Sequence, residues 1–258
     1  MKTALITGAS SGIGRELARV HAAHGGDCVL VARRGSELMA LKEEIERTTT
    51  IKVTIIEKDL SLPTAPREIY EAVRAQGIQV DILMNNAGFG LLGAFAQADE
   101  KTTLDMIQVN ITSLVALTRL FLPDMIARNT GRILNVASTA AFQPGPLMAV
   151  YYATKAFVVS FSEAVRYELR ETKVTVTSLC PGPTKSEFQQ AAGMTSVRMM
   201  SMPGIPTSRT VADYGYQAMM FGKGIAIQGA MNRISAFSTR FAPRNLIMRF
   251  VYALQSTR

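Results

Sequence analysis

The chain has 258 residues, 48% of them hydrophobic, and a formal net charge of +8. That is enough chain and enough apolar content for one large α/β domain with a sizeable core. No stretch reaches the roughly 18–20 consecutive apolar residues that span a bilayer, so a membrane-crossing helix is not expected.

Apolar and amphipathic segments alternate along the chain. Lys2–Thr7 reads as an apolar strand running straight into a glycine turn, so a buried strand is expected here and not a signal peptide. A helix over Gly12–His24 follows, with Ile13, Leu17 and Val20 on one face. Strands are then expected at Asp27–Ala32, Lys52–Ile56, Asp81–Met84, Arg132–Ala137, Lys173–Leu179 and Gly224–Ile227. Helices are expected at Ser36–Arg47, Ala65–Gln76, Glu100–Gln108, Ile111–Arg128 and Tyr151–Glu171. Strands apolar on both faces, alternating with helices, imply a Rossmann-type doubly wound parallel sheet covered on both sides. No linker or repeat divides the chain, so residues 1–258 are expected to form one domain. One long irregular segment, about 183–208, carries Met194, Met199, Met200 and Met202, which suits a mobile cover over a site.

Two cysteines, Cys28 and Cys180, sit at strand ends and are expected to be free buried thiols in a reducing cytoplasm. His21 and His24 have no cysteine or carboxylate at ligand spacing. Both are expected at the surface, and no metal site is expected.

The first strand leads into Thr7-Gly8-Ala9-Ser10-Ser11-Gly12-Ile13-Gly14. Gly8 permits a tight turn, Gly12 lets the backbone approach a pyrophosphate, and Gly14 lets the helix pack close to the strand. The helix N-terminus then offers free N–H groups to the phosphates. A strand before the glycines and a helix after them is the context that gives this motif weight. In NAD-binding folds an acidic residue usually ends the second strand, about 20 residues on, and holds the ribose 2′-hydroxyl. Ala32 stands there instead, followed by Arg33 and Arg34. Guanidinium groups match a phosphate in geometry and charge, so NADP(H) is expected over NAD(H). The two arginines also read as a solvated pair at a helix start, and Arg15 reads equally as a phosphate neighbour or a surface residue.

An ordered set then completes the pattern: the glycine turn, Asp59-Leu60, Asn85-Asn86-Ala87-Gly88, Asn110, Ser138, Tyr151 with Lys155, and Pro181-Gly182. Together these residues resemble the short-chain dehydrogenase/reductase family, in its single-domain branch, over nearly the whole chain. The resemblance implies that Asp59 bonds the adenine amino group, and that Asn86, Ala87 and Gly88 line the cofactor. It implies that Pro181-Gly182 turns beneath the nicotinamide and that Thr184 holds its carboxamide. It implies a catalytic tetrad of Asn110, Ser138, Tyr151 and Lys155. Helical spacing alone puts both Tyr151 and Tyr152 within reach of Lys155. The family's Tyr-x-x-x-Lys motif selects Tyr151.

The chemistry expected of such a site is carbonyl reduction by hydride from the nicotinamide, with Tyr151 as general acid. An adjacent ammonium lowers a phenol's pKa, so Lys155 is expected to lower that of Tyr151. Ser138 would stabilise the carbonyl oxygen, and the resemblance implies that Asn110 holds a water linking Lys155 to solvent. Phe89, Leu91, Leu92, Phe142, Pro144, Leu147 and Met148 are expected to surround the substrate, with Lys185 and Arg198 nearby. An apolar ketone or aldehyde fits better than a sugar: a 3-oxoacyl group, a ketosteroid or similar. The rival reading is a non-catalytic NADP(H) sensor or scaffold, which the presence of both Tyr151 and Lys155 opposes.

The charge is uneven. From Arg198 to Arg258 there are eight basic residues and one acid, Asp213, so +7 of the +8 lies in the last quarter. The bases are spread singly among apolar residues with no reading motif, and nucleic acid is not an expected partner. The extension, about 229–258, places Met231, Ile234, Phe237 and Phe241 before Pro243. Leu246, Ile247, Phe250, Val251 and Leu254 follow on one face, opposite Arg244 and Arg249. Such a stripe packs on its own core or on a second copy in a homo-oligomer. A basic amphipathic helix also suits peripheral contact with an anionic membrane.

Overall fold

The computed structural model describes residues 2–194, 197 and 204–256. Its strands are β1 (Ala4–Thr7), β2 (Cys28–Ala32), β3 (Val53–Glu57), β4 (Ile82–Asn85), β5 (Gly131–Val136), β6 (Val174–Cys180) and β7 (Ile225–Ile227). They pair in parallel in the order β3-β2-β1-β4-β5-β6-β7. The helices are α1 (Gly12–Ala23), α2 (Gly35–Thr48), α3 (Ala65–Ala75), α4 (Glu100–Ile107), α5 (Leu114–Ala127), α6 (Ala149–Glu168), α7 (Phe188–Ala191), α8 (Ser208–Met220), α9 (Ala230–Ser238) and α10 (Arg244–Gln255). This is the doubly wound Rossmann-type sheet expected.

Successive residues of a strand face opposite sides of a sheet. Ala4, Ile6, Leu30, Met84, Leu134 and Leu179 therefore join one core cluster, completed by Leu17 of α1, Leu38 of α2 and Val211 of α8. Leu5, Val29, Val31, Leu83, Ile133 and Val176 join the other, with Ile69 of α3 and Leu117, Phe121 and Met125 of α5. The chain winds outward from β1 toward β3, then returns to β4 and winds the other way. The carboxyl ends of β1 and β4 thus flank the crevice where such sheets bind ligands.

Four expectations need correction. The long helix from Glu100 to Ala127 is continuous and not two pieces, with a π turn at Gln108–Ser113. It is long and apolar enough to cross a bilayer, by length and composition, although no such helix was expected. Its inner side chains, Met106, Leu114, Leu117, Phe121 and Met125, are buried in this fold. Second, α8 forms where no helix was expected. Thr207 caps it by accepting from the Thr210 N–H, and Gly215 lets it approach Leu179. Third, His21 is buried, not at the surface. Its Nε2 lies 3.0 Å from the Lys2 carbonyl and its Nδ1 3.1 Å from the Tyr216 hydroxyl. A carbonyl only accepts, so Nε2 carries the proton and Tyr216 donates to Nδ1. Burial lowers the His21 pKa, which favours this neutral form. His24 is exposed, and both cysteines are buried free thiols.

Fourth, the apolar stripe of the tail is split. Val251 and Ile247 of α10 face inward, against a cluster that includes Met148, Tyr152 and Met194. Leu246 and Phe250 face outward.

Candidate active site

A large cavity of about 510 Å³ opens at the carboxyl ends of β1 and β4. Gly8 and Gly12 have φ of +66° and +53°, the left-handed region that glycine adopts without penalty. They turn the chain from β1 into α1. A Cβ on Gly8 would lie 2.8 Å from the Asn86 side-chain nitrogen, and one on Gly14 would strike Gly8 itself, so both close approaches need glycine. Gly12 has no neighbour nearer than 3.5 Å at that point and presents bare backbone to the cavity. Asn86 locks the turn: its Nδ2 donates to the Thr7 carbonyl at 2.9 Å, and its backbone N–H donates to the Thr7 hydroxyl at 3.0 Å.

Ser10, Ser11, Ile13, Asp59, Leu60, Ala87 and Gly88 line the same cavity. Arg33 and Arg34 stand at its edge where β2 ends. Arg34 donates to the Ser10 hydroxyl at 3.3 Å and pairs with Glu187 at 2.9 Å. Arg33 lies 4.0 Å from Asp59 and is mostly exposed. Exposed pairs of this kind are weak, so both guanidinium groups are available to an incoming anion. Arg15 is outside the cavity lining; it donates to the Ser10 carbonyl and pairs with Glu37. This donor set fits a dinucleotide carrying an extra phosphate: a bare glycine turn, a helix N-terminus, and two arginines where an acid would exclude that phosphate.

Deeper in, Ser138, Tyr151 and Lys155 line the cavity with Pro181, Gly182 and Thr184. Ser138 caps a short 3-10 turn at Thr139–Phe142. Its oxygen accepts from Ala140 N–H at 3.1 Å and donates to the Pro181 carbonyl at 3.4 Å. Tyr151 and Lys155 are one turn apart on α6. The Lys155 ammonium sits 5.8 Å from the Tyr151 ring centre and donates to the Val136 carbonyl at 2.8 Å.

Asn110 does not line the cavity. Held in the π turn, it donates to the Phe89 carbonyl at 3.0 Å and the Thr154 hydroxyl at 3.1 Å, and accepts from Phe89 N–H at 3.1 Å. A Cβ on Gly88 would lie 3.0 Å from Asn110 and 3.3 Å from Lys155, so the two side chains converge behind Gly88.

The pKa values run against one expectation. Burial pushes the Tyr151 phenol up to about 12, and the Ser138 side chain offsets part of that rise. Burial also pushes Lys155 down to about 8. An ammonium pinned to the Val136 carbonyl beneath the ring does not overcome the cost of a buried phenolate.

Tyr152 is set apart from Tyr151. Its hydroxyl accepts from the side-chain amide of Gln255, at the end of α10.

Of the expected substrate neighbours, Phe89, Met148 and Met194 line the cavity. Leu91, Leu92, Phe142, Pro144 and Leu147 do not. Leu92 and Phe142 pack against core clusters instead, and Leu91 and Leu147 border a small separate pocket. Gln143, Phe188 and Ala191 line the cavity without having been expected. Phe188 belongs to α7 in the covering segment, with its ring 5.4 Å from that of Tyr151. Its place beside a methionine-bearing cover was the available signal. Lys185 is exposed and outside the cavity lining. Met199, Met200, Met202, Arg198 and Arg258 lie outside the described residues. Sequence reading also missed that the tail reaches the site: Asn232 of α9 packs against Gly182, where a Cβ would come within 2.5 Å of it.

Residues 2–196 match the family model described as short chain dehydrogenase. The 17-beta-hydroxysteroid dehydrogenase type 3 of Rattus norvegicus is 36% identical over 182 residues, 69% of this chain and 58% of that protein. The chain thus spans less than two thirds of the length of that relative. A short-chain dehydrogenase from Sphingobium yanoikuyae in complex with NADPH superposes with a TM-score of 0.84 at 29% identity, covering 96% of this chain and 95% of that one. A short chain dehydrogenase/reductase from Burkholderia phymatum in complex with NAD gives a TM-score of 0.82 at 24% identity, covering 92% of each chain.

Proposed function

Because this chain belongs to the short-chain dehydrogenase/reductase family of oxidoreductases, we propose that it is an NADP(H)-dependent reductase of an apolar ketone or aldehyde. The observation that carries the proposal is one cavity joining the glycine turn and Arg33–Arg34 at one end to Ser138, Tyr151 and Lys155 at the other.

Gly12 and the α1 N-terminus would hold the pyrophosphate, Arg33 and Arg34 the 2′-phosphate, and Asp59 the adenine. Asn86, Ala87 and Gly88 would back the cofactor, and Thr184 would hold the carboxamide. When bound, the nicotinamide supplies a hydride to the carbonyl carbon. The protein supplies the proton and the geometry. A phenol with a pKa near 12 is fully protonated at neutral pH. Tyr151 is therefore loaded as an acid, and becomes a competent donor once the substrate oxygen gains alkoxide character. Ser138 bonds that oxygen and stabilises its charge. Lys155 keeps a positive charge below about pH 8 and steadies the phenolate that remains. Asn110 acts as a positioning residue: its side chain is committed to Phe89 and Thr154, and it props the wall behind Gly88 and Lys155.

The substrate end supports an apolar ligand. Phe89, Met148, Phe188, Ala191 and Met194 face the cavity, and the one cation beside Ser138 and Tyr151 among the described residues, Lys155, is bonded to the Val136 carbonyl and is not a clamp for an anionic substrate. The relative named as a hydroxysteroid dehydrogenase and the neighbour that binds NADPH support the same reading. The test is NADPH consumption against a panel of ketosteroids, 3-oxoacyl thioesters and hydrophobic aldehydes. No turnover on any member, with NADPH bound, would favour the sensor.

A further inference from the structure

Among the described residues, nothing covers the outer face of the last two helices. Met231, Ile234, Phe237, Phe241, Leu246 and Phe250 are each between 59% and 76% exposed. Soluble chains seldom leave so many large apolar side chains uncovered on consecutive elements. The inner faces of the same helices are committed. Asn232 backs Gly182, Val251 packs beside Met148, and Gln255 holds Tyr152. The outer side chains therefore cannot turn in to bury themselves.

The charge on this face has one sign. Arg233, Arg240, Arg244 and Arg249 lie among the apolar residues, and no acidic residue occurs after Asp213. Among the described residues, none of the four takes part in a salt bridge. Arg240 lies 5.8 Å from the Phe237 ring centre, which places a cation at the edge of an apolar surface. A two-fold pairing of this face with a second copy would set arginines against arginines without a carboxylate between them. An anionic lipid surface satisfies both features at once, taking the aromatic and aliphatic side chains into its interface and pairing the arginines with headgroups.

We propose that the outer face of α9 and α10 docks this protein on an anionic lipid bilayer. The docking surface lies on the reverse of helices whose inner faces back Gly182, Tyr152 and Met148 of the cavity lining, and stands independently of the reductase reading.

Co-sedimentation of the full chain with vesicles tests the proposal, using phosphatidylcholine alone and phosphatidylcholine mixed with phosphatidylserine, at low and high salt. The expected result is pelleting with the mixed vesicles at low salt, reduced at least tenfold by neutral vesicles or high salt. Phe237→Ser/Phe250→Ser should lose at least tenfold in binding while keeping wild-type turnover of a water-soluble carbonyl. A second variant, Arg240→Glu/Arg244→Glu/Arg249→Glu, should lose the anionic preference. Absence of pelleting at low salt would overturn the proposal. So would a dimer, seen by light scattering, that the phenylalanine variant splits while neither protein binds vesicles. The parallel turnover assay reports on the reductase reading alone, so each failure is recognisable.

Discussion

The hydroxyl of Tyr152 accepts a hydrogen bond from Gln255, 103 positions further along the chain. That bond separates two adjacent tyrosines that sequence spacing alone leaves equivalent. Both rings line the cavity, but the hydroxyl of Tyr151 faces Ser138, while that of Tyr152 is committed to the C-terminal helix. Tyr151→Phe is therefore expected to cut kcat by about 10²–10⁴-fold, the usual range for a general acid, with NADPH binding retained. Tyr152→Phe should leave kcat within a few fold. Steady-state kinetics with NADPH titration by fluorescence checks both.

The same bond ties the tail to the substrate pocket. Gln255→Leu removes the donor and strands a buried hydroxyl, a loss of about 1–3 kcal/mol. The expected outcome is a lower Tm and a raised KM for large apolar carbonyls, with KM for NADPH unchanged. Tyr152→Phe added to Gln255→Leu should recover part of the stability, because the stranded hydroxyl is gone. Thermal melts of the single and double variants measure that coupling.

Much of the framework was legible because its causes are local. The strands announce themselves as short apolar runs, the five central ones buried on both faces, and all seven form within a residue or two of the expected places. The glycine turn follows from backbone geometry, as the positive φ of Gly8 and Gly12 bears out. What was not legible depends on distant partners. His21 is buried only because Tyr216 and Lys2 meet it there. The stripe of α10 looked like one face, yet Val251 turns inward to Met148 and Met194 while Phe250 does not. Helix α8 carries a glycine and few strongly apolar residues, and is held by packing on α1 and the sheet. The substrate wall was read from residues near the motifs, but side-chain direction in irregular segments has no period to reveal it. Leu147, at φ +67°, shows how far that segment departs from regular geometry.

Lys155 should mark the pH dependence of stability. Burial holds its pKa at about 8 in the folded chain, against the 10.5 of an ordinary lysine. Below pH 8 both states hold the proton, and burying the charge costs the folded state on the order of 3 kcal/mol. Between about pH 8 and 10.5 only the unfolded chain holds it, so this residue's penalty fades as pH rises. Lys155→Met should thus gain most in relative stability below pH 8 and lose that advantage toward pH 10.5. The lost bond to Val136 subtracts a pH-independent amount. Cys28, raised to about 12 by burial, destabilises the fold at high pH in both proteins and cancels in the difference. Cys180, also raised to about 12, loses the opposing charge of Lys155 in the variant, which lowers the variant's relative stability further toward high pH. Urea unfolding of both across pH 7–10.5 gives the comparison.

Cofactor choice should rest on Arg34 more than on Arg33. Arg34 is held against Ser10 at the glycine turn, whereas Arg33 is mostly exposed. Removing a charge-assisted contact to phosphate costs about 1.5–3 kcal/mol, roughly 10–100-fold. Arg34→Ala should lower kcat/KM by that factor with NADPH and leave it nearly unchanged with NADH. Ala32→Asp should go further and favour NADH, because it restores the acid at the end of β2 and repels the phosphate.

The most direct measurement is the disappearance of NADPH absorbance with a hydrophobic ketone, in wild type and Tyr151→Phe side by side. The account predicts turnover in the wild type, at least a hundredfold less in the variant, and equal NADPH affinity in both. Turnover that survives Tyr151→Phe at the wild-type rate would contradict it.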